Sequence, residues 1–186
     1  TIPAENIVLM PDSMVAHGTQ ASIKESTINK AYFPKADIKD YTLLWTPKTD
    51  SMLVQTKGNA VSFYNGSTEL EGNLIIRSTG LFGAGFLKRN DADIRSNSIK
   101  FKKEGFDAKD ASIEIKGGDT GSLPILAGQS LDVDFNIING SAQLTKNTSG
   151  FDSDSASIRL PQANYYTNID QATWNTKTKT ITMKAK

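Results

Sequence analysis

The sequence predicts an all-β, mostly antiparallel fold with little or no helix, a sandwich, jelly-roll or short β-solenoid, and two observations lead there. Apolar and polar residues alternate with a period of two, the mark of half-buried strands. Glycine- and asparagine-rich turn signals separate the alternating runs every 8 to 20 residues or so. The clearest runs are Ser112-Ile113-Glu114-Ile115-Lys116, Leu131-Asp132-Val133-Asp134-Phe135 and Thr180-Ile181-Thr182-Met183-Lys184. In Ile94-Arg95-Ser96-Asn97-Ser98-Ile99-Lys100-Phe101 one register ends at the serines and another begins at Ile99. Turn chemistry falls at Asn65-Gly66, Glu71-Gly72-Asn73, Gly117-Gly118-Asp119, Asn139-Gly140 and Ser149-Gly150. No window of helical length carries a capped apolar stripe. The inward positions expected from this phase are Ile75, Leu81, Phe86, Ile94, Ile99, Phe101, Ile113, Ile115, Val133, Phe135, Ile158, Trp174 and Ile181.

Composition bounds the function. With 21 basic and 20 acidic residues in 186 the net charge is +1, and no basic cluster is dense enough to track a phosphate backbone, so nucleic acid is not an expected partner. The chain has no cysteine, which removes disulfides and thiolate chemistry. No apolar run reaches the roughly 18 residues that span a bilayer as a helix. Starting at Thr1 without an initiator Met, rich in Ser, Thr, Asn and Gly, it reads as a mature or excised segment of an exported protein. The expected location is extracytoplasmic: periplasm, outer-membrane associated or secreted.

Residues 1–30 read as an N-terminal strand or linker region and 31–186 as the β domain. Within the latter, 32–54 matches 159–183: Pro34 with Pro161, Ala36 with Ala163, Trp45 with Trp174, and the Lys48-Thr49 turn with Lys177-Thr178, each followed by an alternating strand. Such repetition predicts tandem units in which each Trp packs inward.

Catalytic motifs are weak, and no catalytic residue, metal ligand or cofactor is assigned. His17 is the sole histidine and has no nucleophile elbow to serve. The carboxylate pairs Glu69/Glu71 and Asp132/Asp134 fit a glycosidase only loosely and match the wet face of a strand equally well. Asp91-Ala92-Asp93, Asp107 with Asp110, and Asp152-Ser153-Asp154 complete no calcium loop. Gly80 with Gly83-Ala84-Gly85 lacks a dinucleotide fingerprint and reads as a strand that must bend or pack closely. Aromatic residues offer the binding hypothesis, because sugar rings stack on exposed aromatic faces: Tyr32, Tyr41 and Trp45 form one group, and Tyr165, Tyr166 and Trp174 the other.

Ala92-Asp93-Ile94-Arg95-Ser96-Asn97-Ser98-Ile99-Lys100-Phe101, with Asn73-Leu74-Ile75-Ile76, Gly80-Leu81-Phe82-Gly83-Ala84-Gly85, and Leu160-Pro161 before Asp170-Gln171-Ala172-Thr173-Trp174, resembles segments of very large uncharacterised envelope proteins of Gram-negative bacteria over about residues 60–186. The Ala-Asp-Ile cadence is also similar, over a short stretch, to the OstA-like β-jelly-roll of lipopolysaccharide transport. These resemblances imply an envelope location and an open, lipid-accommodating trough, and no reaction. The function expected is thus a non-catalytic structural or bridging module of an envelope protein, with an apolar groove for lipid as a further expectation. Its partners are other domains of the same polypeptide or envelope proteins, with lipid or glycan as ligands. The alternative is a carbohydrate-binding module using the two aromatic groups.

Overall fold

A computed structural model describes residues 3–117, 123–147 and 158–184. The expected turns at Gly117-Gly118-Asp119 and Ser149-Gly150, and the Asp152-Ser153-Asp154 group, fall wholly or partly outside them. The fold is all-β, and the only helical elements among the described residues are three single 3-10 turns. Seventeen strands follow one another: β1 (Asn6–Met10), β2 (Ser13–Ile23), β3 (Ser26–Ile28), β4 (Ala31–Phe33), β5 (Ala36–Thr46), β6 (Ser51–Thr56), β7 (Val61–Phe63), β8 (Thr68–Arg77), β9 (Gly80–Lys88), β10 (Ala92–Phe101), β11 (Gly105–Ile115), β12 (Leu126–Asn136), β13 (Ser141–Lys146), β14 (Ile158–Leu160), β15 (Tyr165–Thr167), β16 (Gln171–Asn175) and β17 (Thr180–Lys184).

The chain forms two compact units, residues 1–88 with 100–103 and residues 89–99 with 104–186. Residues 6–28, expected ahead of the β domain, are strands β1 to β3 of the first unit. In that unit the strand order is β1-β2-β5-β6-β8-β9, with β7 beside both β5 and β8 and a small β3-β4 sheet. In the second it is β10-β11-β12-β13-β16-β17, with β14 beside both β12 and β15.

The two units repeat one scheme. Tyr41 pairs with Thr56 as Leu131 pairs with Lys146, and Thr46 with Ser51 as Asn136 with Ser141, each residue ninety positions on (41 to 131, 56 to 146). Both hairpins close through a left-handed residue at the same point, Asp50 and Gly140. The Lys57 amide donates to the Asp40 carbonyl at 2.8 Å, and the Asn147 amide to the Ser130 carbonyl at 2.9 Å, again ninety positions on. Val54 opposite Leu74 corresponds to Leu144 opposite Ala172, and Ile76 opposite Leu81 to Trp174 opposite Ile181. In this register Trp45 answers to Phe135 and Trp174 to Ile76, so the Trp-to-Trp alignment of 32–54 with 159–183 is not the structural repeat. Both segments do hold a hairpin after a Trp, and alternating Thr/Lys strands match each other readily at the wrong interval.

The long strands switch their buried parity midway. In β5 the buried residues are Ala36 and Ile38, then Tyr41 and Leu43; in β12 they are Leu126 and Gly128, then Leu131, Val133 and Phe135. At the switch stands a residue of positive φ, Asp40 (43°) in β5 and Ser130 (50°) in β12, with Asp110 (43°) opposite in β11, where the β11–β12 register shifts as at a bulge. The switch keeps the apolar residues of both halves of the strand on the core side. β8 and β9 keep one parity and an unbroken register, and there Gly72 and Gly85 stand directly opposite one another.

Cores follow from this phase. The first unit buries Ala16, Leu43, Val54 and Leu74 in one cross-strand row, and Phe63 stacks on Phe101 at 4.0 Å. The second buries Phe106, Phe135 and Trp174, with Phe106 stacked on Phe135 at 5.3 Å and Trp174 edge-on to Phe135 at 5.8 Å. The Arg89 guanidinium lies 4.2 Å from the Phe135 ring centroid while bonding both oxygens of Asp91, at 2.9 and 3.2 Å. Of the expected inward positions, Leu81, Ile94, Ile99, Phe101, Ile113, Ile115, Val133, Phe135, Ile158 and Trp174 are buried. Ile75, Phe86 and Ile181 are only half-buried, and Ile75 points to the face opposite the core.

Candidate functional site

The two aromatic groups separate once placed. Tyr41 is 1% exposed, on the inner face of β5, and its hydroxyl donates to the Pro3 carbonyl; Trp174 is 3% exposed. Neither offers a face to a sugar, and both belong to the core. Trp45 shares Tyr41's parity but sits at the strand end, 41% exposed, beside Met14 and Met52. Tyr165 and Tyr166 are 57% and 59% exposed on β15, on opposite faces of a three-residue strand. Tyr32 is half-buried on β4, and burial, then the hydrogen bond and charge of Glu25, push its phenol up to about 12. The exposed aromatic surface therefore reduces to Trp45, Tyr165 and Tyr166. No ring contact joins the members of either group among the described residues.

The acidic candidates are tied into the sheets. Glu71 pairs with Lys88 at 2.6 Å, and Asp93 with Lys116 at 2.8 Å. Asp132 is the most heavily bonded: Lys109 Nζ reaches one oxygen at 2.5 Å, while the Asp110 amide and Asn147 Nδ2 donate to the other at 3.1 and 2.8 Å. Burial of this carboxyl opposes ionisation, but these donors outweigh it and hold its pKa below the usual value. Because the folded value is depressed, the ionised carboxylate stabilises the fold above the unfolded-state pKa of about 3.9, and that contribution fades as the pH falls through the folded value. We expect the thermal midpoint to drop on acidification from about pH 5 to pH 2. Asp132→Asn should lower it at neutral pH and flatten that acid limb; an unchanged limb in a pH series of melts refutes the assignment.

His17 stands on β2, and its Nδ1 lies 3.0 Å from Thr42 Oγ1. It belongs to a polar cross-strand row on the face of the first unit away from its core: Asn6, His17, Thr42, Gln55 and Asn73, with Gln55 Nε2 donating to Asn73 Oδ1 at 3.1 Å. A cleft of about 610 Å³ opens beside this row, lined by Thr42, Gln55, Lys57, Asn59, Glu71 and Asn73 among others. Apart from two glycines, the residues that line it carry polar side chains, whereas the inner face is filled by the buried Ala16, Leu43, Val54 and Leu74 row.

Two residues along each strand, on the same outward face, a second row reads Val8, Val15, Leu44, Leu53, Ile75, Phe82, each directly opposite the next. Beyond it stand Met10, Ser13, Thr46, Ser51, Arg77 and Gly80. One apolar stripe thus crosses six strands, flanked by polar residues on β2, β5, β6 and β8, by Asn6 and Met10 on β1 and by Ala84 and Gly80 on β9. The corresponding row of the second unit is Asp107, Asp134, Gln143, Thr173, Thr182. Sequence reading did not single out this stripe. No protein-family model, curated protein or solved structure matches the chain.

Proposed function

We propose that this chain is a non-catalytic structural or bridging β module of a bacterial cell-envelope protein, working outside the cytoplasm alongside other domains of its own polypeptide or neighbouring envelope proteins. The observation that carries this reading is the duplication: one pairing scheme is drawn twice, ninety residues apart, each time around a filled core. Repetition of a packed unit extends a surface and sets a spacing, which is what a bridging element needs. One carboxylate of each pair that a hydrolase would use, Glu71 and Asp132, is engaged in an ion pair, and Asp132 also accepts the Asp110 amide, roles that hold the sheets together. The exported composition and the resemblance to Gram-negative envelope segments support the location.

Exposed Trp45, Tyr165 and Tyr166 favour a second reading, a carbohydrate-binding module. A glycan array separates the two. The bridging reading expects no glycan whose capture depends on these rings; saturable binding that is lost in Trp45→Ala or in Tyr165→Ala/Tyr166→Ala, with an unchanged thermal midpoint, overturns it.

A further inference from the structure

We infer that the apolar stripe on the first unit is a binding surface for a single-chain anionic amphiphile. The inference deepens the bridging reading by naming a ligand class, and it rests on that reading only for the compartment. The fold does not require the stripe: the second unit builds the equivalent strands with Asp134 for Leu44, Gln143 for Leu53, Thr173 for Ile75 and Thr182 for Phe82. Since the side chains of this row alternate with the buried ones, they stand on the wet side of the sheet, where polar residues are the ordinary choice. Five apolar residues half-buried there, with Val8 54% exposed at the open edge, are retained for a contact.

The dimensions choose the occupant. Six strands at about 4.8 Å make a track roughly 24 Å long, and neighbouring same-face rows lie about 7 Å apart, so the stripe is one side chain wide. That is roughly 170 Å², well short of the about 800 Å² per partner of a stable protein interface. A long, narrow apolar track flanked by polar residues on β2, β5, β6 and β8 suits one extended hydrocarbon chain. The charge sits at one end. Phe82, the last residue of the stripe, has the Arg77 guanidinium 5.5 Å and the Lys100 ammonium 6.0 Å from its ring centroid. The chain's head group is therefore acidic and lies at β9, with its tail running toward β1.

The test is calorimetric titration of the full chain with laurate and with its uncharged glycerol ester, both below their micellar concentrations. Saturable binding near one laurate per chain is expected, with the ester weaker. Leu44→Asp/Leu53→Gln/Ile75→Thr installs the second unit's residues and should weaken laurate by about tenfold or more with the fold retained. Should that variant unfold, Arg77→Gln/Lys100→Gln decides alone: it should erase the preference for laurate over the ester and leave the ester unchanged. Binding indifferent to both variants, equal affinity for acid and ester, or stripe-dependent self-association in place of ligand binding overturns the inference. These failures leave the bridging reading standing, because that reading fails on the glycan array.

Discussion

Replacing Trp174 with Ala is expected to cost about 3 to 5 kcal/mol, among the largest single-residue losses in the second unit. The indole is 3% exposed, edge-on to Phe135, which in turn stacks on Phe106 and carries Arg89 on its ring. Truncation leaves a cavity against the Phe135 ring, which is itself stacked on Phe106. It also loosens the seat of the Arg89 guanidinium, whose side chain is 10% exposed. Trp45→Ala tests the contrast. That ring is 41% exposed, and its removal should cost about 1 kcal/mol or less. With only two tryptophans, fluorescence assigns each directly: Trp174→Ala should leave a red, iodide-quenchable emission, and Trp45→Ala a blue, protected one. Equal drops in thermal midpoint for the two variants contradict the placement of both rings.

The difference between these two residues also marks how far the sequence could be read. Where alternation is clean, as in Leu131-Asp132-Val133-Asp134-Phe135, the core phase is legible and the structure buries the apolar members. Where apolar residues run consecutively, as in Leu43-Leu44-Trp45, Met52-Leu53-Val54 and Leu74-Ile75-Ile76, period two has no phase to offer, and Ile75 was expected on the wrong face. Those unphased runs lie side by side in the first unit, and the residues that turn outward are the stripe. The signal was present as a clustering of ambiguous strands, visible only once pairing brings them together. Parity switches hid the rest. The inserted residue at Asp40 shifts the parity so that Ala36 and Ile38, then Tyr41 and Leu43, all turn inward; Trp45 shares Tyr41's parity and is exposed only because it stands at the strand end. The repeat was detectable but misregistered, because its true interval aligns Trp45 with Phe135 and hairpins of unrelated sequence. No local motif announces such a correspondence; the pairing registers do.

The second large effect concerns Gly72 and Gly85. They face each other across β8 and β9 with φ of 147° and 145°, backbone states that side chains rarely adopt. A Cβ added at Gly72 would run into the Ala84 carbonyl, and one at Gly85 into the Glu71 carbonyl, both well inside the 3.0 Å that real Cβ atoms keep. The blocking atoms are backbone, so neither clash is relieved by a rotamer change. At the parity switches of β5 and β12, Asp40 and Ser130 stay near 43° and 50°, which an L residue can occupy, so glycine is optional there and required where β8 and β9 approach at Gly72 and Gly85. Gly72→Ala or Gly85→Ala should each cost roughly 3 kcal/mol or more, combining backbone strain with displacement of a paired strand. The double variant should cost less than the sum, since the first substitution already forces the two strands apart. Gly58→Ala supplies the control: its φ is 74°, but a Cβ there meets nothing within 4 Å, so only about 1 kcal/mol is expected. Chemical denaturation of the four variants measures all of these. If Gly72→Ala and Gly58→Ala destabilise equally, close approach of the two strands is not what demands glycine at Gly72.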